Sequence, residues 1–287
     1  MDRRSFIKGA SLTAGMALLT PAGLKLADSS GKKFISDKVM LGKTGIQVSR
    51  MAIGTGTNGV GHSSNQTRKL GVSGLAALLI TAYDKGVFFW DSADQYGTHP
   101  HLKEALQRVP REKVVILTKT HASTEEEMKK DIDRFRKEIG TDYLDIVLLH
   151  CMVSKRWPEE KKGAMNVLSL AREQKIVRAH GVSCHTLDAL NAAAESPWVQ
   201  IDLARINPGG VSMDAPVSTV TDVLRQMKQS GKVVMGMKIF GDGSLVNRKD
   251  ECIKYILAQD YISCFTIGIE SIDQLLDLEK RVPQLSV

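Results

Sequence analysis

Short segments rich in Val, Ile and Leu alternate along this chain with longer segments whose apolar residues recur at helical spacing. This alternation is typical of βα units built around a parallel sheet, and it constrains the fold more than any other feature. The predicted strands are residues 50–54, 87–91, 114–119, 143–150, 178–183, 202–207, 233–238 and 264–268. The predicted helices are residues 73–85, 100–109, 124–139, 159–174, 186–195, 217–230, 249–259 and 272–282.

Eight strands and eight helices within residues 34–287 predict a closed (β/α)8 barrel of the TIM type. Residues 39–48 lie before this series, and we expect them to form a β-hairpin that closes the bottom of the barrel. The alternative fold is an open doubly wound sheet. It is disfavoured because the glycines after the first predicted strand do not open directly into a helix, as a dinucleotide fingerprint does.

Polar side chains stand where three consecutive predicted strands end. Asp91 ends the second strand, with Tyr96 in the following loop, and Lys119 and His150 end the third and fourth strands. Each residue alone has an ordinary structural explanation as a cap, a packing group or a solvated charge. Because the carboxyl ends of barrel strands form one face, the four together predict an active site.

The formal net charge of +7 is modest, and part of it lies in the N-terminal segment. The remaining basic residues are scattered rather than clustered, so the sequence does not predict a nucleic-acid-binding protein. A small-molecule ligand is expected instead. No metal site is predicted, because the four cysteines form no Cys-x-x-Cys pair and the histidines lack carboxylates at ligand spacing.

The first 27 residues resemble a twin-arginine export signal. Arg3 and Arg4 precede Phe6, Ile7 and Lys8, and a short, weakly apolar run follows. The resemblance implies export of the folded protein through the twin-arginine translocation machinery to a bacterial periplasm. Contact with the membrane would be transient unless the segment is left uncleaved. The alternative is a basic arm followed by a surface helix.

Beyond that segment, the chain resembles the aldo-keto reductase family over nearly its whole length. The resemblance rests on residues 41–49 (LGKTGIQVS), 91–97 (DSADQYG), 117–119 (LTK), 143–150 (YLDIVLLH) and 181–183 (GVS). It implies a monomeric NAD(P)H-dependent enzyme that reduces aldehydes or ketones. Asp91, Tyr96, Lys119 and His150 would be its catalytic tetrad, with Tyr96 as the proton donor.

The resemblance also implies a set of cofactor contacts. They are Gly54, Thr55, Ser183, Cys184, Met237, Lys238, Gly268, Glu270 and Gln274. Three positions at the nicotinamide differ from the usual pattern: Cys184 replaces an Asn, Leu203 a Gln, and Met237 an aromatic residue. NADPH is the family's default cofactor, but Glu270 would repel a 2′-phosphate or bind a free 2′-hydroxyl, so NADH stays open.

The substrate pocket is predicted to include His62, Trp90 and Trp157. Two other functions remain open. The altered nicotinamide contacts fit a sensing or binding subunit with little turnover. A lyase or isomerase would instead use Lys119 as a Schiff-base amine.

Overall fold

The structure is a computed structural model that describes residues 31–286. Its eight parallel strands close into a barrel, because the last strand pairs with the first through Phe265–Met51 and the residues that follow. The predicted (β/α)8 fold is confirmed. The strands are β1 (Lys38–Met40), β2 (Gln47–Ser49), β3 (Met51–Gly54), β4 (Phe89–Asp91), β5 (Val115–Thr120), β6 (Leu144–Met152), β7 (Val177–Cys184), β8 (Ile201–Arg205), β9 (Val233–Met237) and β10 (Cys264–Gly268). The α-helices are α1 (Asn65–Asp84), α2 (His99–Ala105), α3 (Glu125–Ile139), α4 (Trp157–Glu160), α5 (Lys162–Glu173), α6 (Leu187–Glu195), α7 (Val217–Gln229), α8 (Lys249–Ala258) and α9 (Ile272–Leu285).

The barrel wall is buried on both faces. Phe89 and Leu117 point into the barrel, whereas their neighbours Trp90 and Ile116 point outward to the helices. Successive strand residues face opposite sides, so each strand needs apolar side chains at nearly every position. This requirement explains why the strands stand out in the sequence as continuous apolar runs.

An antiparallel hairpin, β1 with β2, precedes the barrel. Leu41, Ile46 and Val48 are fully buried and pack with Val115 and Val233, the first residues of β5 and β9. These contacts lie at the amino ends of the strands. The hairpin therefore closes the bottom of the barrel, as the sequence predicts.

Two helices differ most clearly from their predictions. Helix α1 begins at Asn65, well before residue 73, because Ser64 and Thr67 form a reciprocal capping box. Gly71, with φ of 62°, bends the helix between its first turns and the apolar part that was predicted. The predicted helix 159–174 is divided into α4 and α5.

The predicted export segment, residues 1–27, lies outside the described residues. Within residues 31–286, no helix combines the length and the apolar character that crossing a bilayer requires.

The buried hairpin should contribute measurably to stability. We expect Ile46→Ala to lower the free energy of unfolding by about 2–5 kcal/mol, because it opens a cavity beneath the barrel. Met40→Ala is the matched control, since Met40 lies in the same hairpin and is 50% exposed; its effect should stay within about 0.5 kcal/mol. Urea denaturation measures both values, and equal losses would contradict a sealing role for Ile46.

Candidate active site

A cavity of about 760 Å³ opens at the carboxyl ends of the barrel strands. All four predicted catalytic residues, Asp91, Tyr96, Lys119 and His150, line it. They come from β4, the loop after β4, β5 and β6, which are neighbours in the barrel. Pairing of adjacent parallel strands thus brings together side chains that lie far apart in sequence.

Lys119 and Asp91 form a buried ion pair. The Lys119 ammonium donates to the Asp91 carboxylate and, at 2.8 Å, to the carbonyl oxygen of Ser92. Its side chain is 1% exposed. Burial opposes the ammonium charge, but Asp91 and Tyr96 outweigh that effect and raise the pKa of Lys119 above its usual value. Lys119 is therefore a fixed positive charge.

The Tyr96 ring lies beside this charge. The Lys119 Nζ atom is 4.9 Å from the centre of the ring, and the His150 ring meets Tyr96 edge-on at 5.7 Å between centres. Burial raises the pKa of Tyr96, while the Lys119 ammonium acts in the opposite direction. Tyr96 thus keeps its proton at neutral pH, next to a cation that would stabilise its phenolate.

His150 is held as a neutral imidazole. Burial, with Lys119 and the neighbouring histidines adding to it, lowers the pKa of His150 well below its usual value. His121 stacks on it at 4.9 Å between ring centres, and the Nε2 of His121 donates a 3.0 Å hydrogen bond to the side-chain carbonyl oxygen of Gln95. A neutral imidazole can donate a hydrogen bond to a substrate oxygen without adding a second charge beside Lys119.

The predicted cofactor residues divide into two groups. Six of them line the cavity: Gly54, Met237, Lys238, Gly268, Glu270 and Gln274. Three do not, namely Thr55, Ser183 and Cys184. The Thr55 hydroxyl donates to the Asp91 carbonyl at 2.9 Å, and the Ser183 hydroxyl accepts from the Cys151 amide at 2.9 Å.

Cys184 is fully buried in the outer apolar layer, between the barrel and the helices. It ends β7, where strand alternation turns its side chain away from the barrel axis. This position does not favour the predicted contact of Cys184 with the cofactor, which stays a prediction. Its buried thiol has a raised pKa because of desolvation.

None of the three predicted substrate residues lines the cavity. Trp90 is fully buried in the outer layer, because its neighbour Asp91 takes the inward direction on β4. Trp157 is also buried, and its indole N–H donates to the Ala189 carbonyl at 3.2 Å. His62 is exposed, and its ring nitrogen lies 3.1 Å from the Asp94 carbonyl oxygen. The burial of Trp90 and Trp157 directs both side chains away from the cavity, because sequence position alone does not give the direction of a side chain. The assignment of His62 stays a prediction.

Apart from Lys238 and Gln274, sequence reasoning missed the cavity residues that lie between β9 and α8 and on α9. The loop contributes Ile239, Phe240, Asp242, Gly243 and Val246, and the helices contribute Lys249, Asp277 and Leu278. The sequence does indicate the loop between β9 and α8 as part of the cavity. It is a long βα loop with two glycines, and the βα loops of a barrel form the face that carries the active site.

Comparison with known proteins agrees with this architecture. The sequence profile of the aldo/keto reductase family matches residues 51–275. A D-threo-aldose 1-dehydrogenase of a Pseudomonas species is 23% identical over 227 residues, covering 68% of this chain and 67% of that protein. A protein named probable aldo-keto reductase 1, from Glycine max, is 26% identical over 179 residues, covering 57% of this chain and 50% of its own length.

Solved structures share the fold. An aldo-keto reductase from Bacillus halodurans, in its holo form, superposes with a TM-score of 0.67 at 14% identity and covers 88% of this chain and 96% of its own. An aldo/keto reductase from Klebsiella pneumoniae in complex with NADP and acetate gives a TM-score of 0.65 at 16% identity, covering 86% of this chain and 90% of its own.

The buried ion pair can be tested by a double-mutant cycle. Lys119→Met leaves the Asp91 carboxylate without its cation, and we expect a loss of about 3–5 kcal/mol in the free energy of unfolding. Adding Asp91→Asn removes that stranded charge, so the double variant should recover much of the loss. The coupling free energy between Lys119 and Asp91 is measured by urea denaturation of the wild type, the two single variants and the double variant. Simple additivity of the two single losses would contradict a tight pair.

Proposed function

The chain belongs to the aldo/keto reductase family, and on this premise we propose that it uses NAD(P)H to reduce aldehydes or ketones to alcohols, with Tyr96 as the proton donor. The observation that carries the proposal is the position of the Tyr96 ring between the Lys119 ammonium and His150, within one cavity.

The chemistry follows from the charge that develops during reduction. Hydride addition to a carbonyl carbon leaves negative charge on oxygen, which a nearby proton donor must neutralise. Tyr96 donates its proton to that oxygen, and Lys119 stabilises the phenolate that remains. Asp91 holds the ammonium in place, and His150 directs a hydrogen bond at the same oxygen.

The cavity fits a nicotinamide dinucleotide, which supplies the hydride when bound. Besides the proposed catalytic side chains, Lys238 and residues at the amino end of α9 line this cavity. Gly54 and Gly268 form part of its wall, and a Cβ at Gly268 would lie 2.3 Å from the Thr57 hydroxyl. Met237, at the end of β9, offers a polarisable side chain to a flat ring.

A Schiff-base mechanism at Lys119 has less support. An amine must lose its proton to attack a carbonyl, and the raised pKa of Lys119 opposes that loss. The Asp91 carboxylate, which raises that pKa together with Tyr96, also occupies the ammonium in an ion pair.

A binding or sensing subunit with little turnover is the second candidate. It is favoured by the position of Ser183 and Cys184, which were expected to hold the nicotinamide amide but do not line the cavity. Tight binding of the dinucleotide without reduction of any carbonyl compound would support this candidate over the reductase.

Export is a separate part of the proposal and rests on the sequence of residues 1–27 alone. In this proposal the twin-arginine machinery carries the folded monomer, with its cofactor, into the periplasm. Fusion of residues 1–27 to a reporter that is active only after folded export tests it. A reporter retained in the cytoplasm would contradict it.

Removal of the Tyr96 hydroxyl tests the main proposal. We expect Tyr96→Phe to lower kcat by about 10²–10⁴-fold in a panel of aldehydes and ketones, because the general acid is lost. Dinucleotide binding, followed by fluorescence, should stay near the wild-type value. Unchanged turnover in this variant would remove Tyr96 from the mechanism.

Two glycines position the Tyr96 ring. A Cβ added at Gly56 would lie 2.2 Å from a Tyr96 ring carbon, and one added at Gly59 would lie 2.3 Å from another. We therefore expect Gly56→Ala and Gly59→Ala to displace the ring and lower kcat by about 10²-fold, as for other small misplacements of a catalytic group.

Gly74→Ala is the control for these variants, since its Cβ would meet only Leu70, at 3.2 Å, on the same helix. Its kcat should match that of the wild type. The thermal unfolding of all three variants is measured in parallel. Full activity in Gly56→Ala and Gly59→Ala would show that the position of the Tyr96 ring does not depend on these two glycines.

A further inference from the structure

The geometry points to NAD(H), rather than NADP(H), as the preferred cofactor, with the Glu270 carboxylate selecting against a 2′-phosphate. This inference rests on the proposed function, because it requires that the cavity bind a nicotinamide dinucleotide. It departs from the expectation of NADPH that the family resemblance gives.

The shape of the cavity sets which end of the dinucleotide reaches Glu270. Tyr96 and His150 mark the end where a hydride must be delivered. Glu270, Gln274 and Asp277 line the cavity where it meets α9. An elongated cofactor with its nicotinamide at Tyr96 therefore places its adenosine half beside α9.

Glu270 is a fixed and ionised carboxylate at that end. Its Oε1 atom accepts a 2.8 Å hydrogen bond from the Asn65 amide, and its other oxygen pairs with the Lys69 ammonium. Burial raises the pKa of Glu270, but Lys69 and Asn65 outweigh it, and the net pKa lies below the usual value. A carboxylate held in this way can accept a hydrogen bond from a ribose hydroxyl, whereas it repels a phosphate.

Two of the backbone amide groups that could bind a phosphate here are already used. Helix starts bind anions through free N–H groups. In this chain the Glu270 N–H donates to the Gln274 side chain at 2.8 Å, and the Gln274 N–H donates to the Ser271 hydroxyl at 3.2 Å. A 2′-phosphate could use these two N–H groups only by breaking those bonds.

The two lysines that line the cavity outside the candidate catalytic group, Lys238 and Lys249, are also paired. Lys249 lines this end of the cavity and lies 3.5 Å from the Asp277 carboxylate. Lys238, further along the cavity, is 2.7 Å from the Asp242 carboxylate. Lys69 approaches Glu270 but is not part of the cavity wall. Carboxylates thus balance the cations that face a bound dinucleotide in the described part of the chain.

Calorimetric titration of the full chain with NAD⁺ and with NADP⁺ tests the inference without turnover. We expect NAD⁺ to bind at least about tenfold more tightly, the order expected for one repelled charge near a protein surface. Glu270→Gln keeps the shape and the Asn65 contact but removes the charge. It should reduce the preference for NAD⁺ about tenfold, mainly by strengthening NADP⁺ binding.

Asp273→Asn is the matched control, because Asp273 lies in the first turn of α9, is exposed and does not line the cavity. The preference of this variant for NAD⁺ over NADP⁺ should stay within about twofold of the wild-type value. The fragments 5′-AMP and 2′,5′-ADP, titrated into the unmodified protein, test the same discrimination without any variant. We expect 5′-AMP to bind more tightly.

The outcomes separate the two proposals. Tighter binding of NADP⁺ than of NAD⁺ overturns the inference and leaves the reductase proposal standing. An unchanged preference in Glu270→Gln overturns the role of Glu270. Failure of both dinucleotides to bind overturns the proposed function itself.

Discussion

The Lys119 ammonium is a positive charge enclosed within the carboxyl end of a barrel whose interior is otherwise apolar. Such a charge is tolerated only because the Asp91 carboxylate and the Ser92 carbonyl replace the water that it has lost. Its presence opposes the charging of His150, and it lies against the Tyr96 ring. Burial and this ion pair together therefore govern the protonation of Tyr96 and His150.

Enclosure of that charge depends on the rest of the barrel. The two apolar layers fix the strands, and register between β4 and β5 pairs Asp91 with Leu117, two residues before Lys119. Residues one position apart on a strand face opposite layers. A slip of one residue would exchange Asp91 with Trp90 and remove the carboxylate from Lys119.

The fold, and the meeting of the four candidate catalytic residues in one cavity, could be predicted from sequence because both follow simple periodic rules. Apolar runs mark strands that are buried on both faces, and the strand ends then identify Asp91, Lys119 and His150 as neighbours. The wall of the cavity follows no such rule. Trp90 and Trp157 are aromatic and lie close to the site in sequence, yet packing against the helices buries them. Phe240 and Asp277 reach the cavity through a long loop and a helix start, whose directions depend on tertiary contacts.

The closed lower end of the barrel determines how ligands enter and leave the cavity. Leu41, Ile46 and Val48 fill the space beneath the strands, so the route between the cavity and solvent lies at the upper face. Two ligands that share one entrance cannot exchange independently. Under the proposed function, the passage of the dinucleotide and that of the carbonyl compound are therefore coupled at this face.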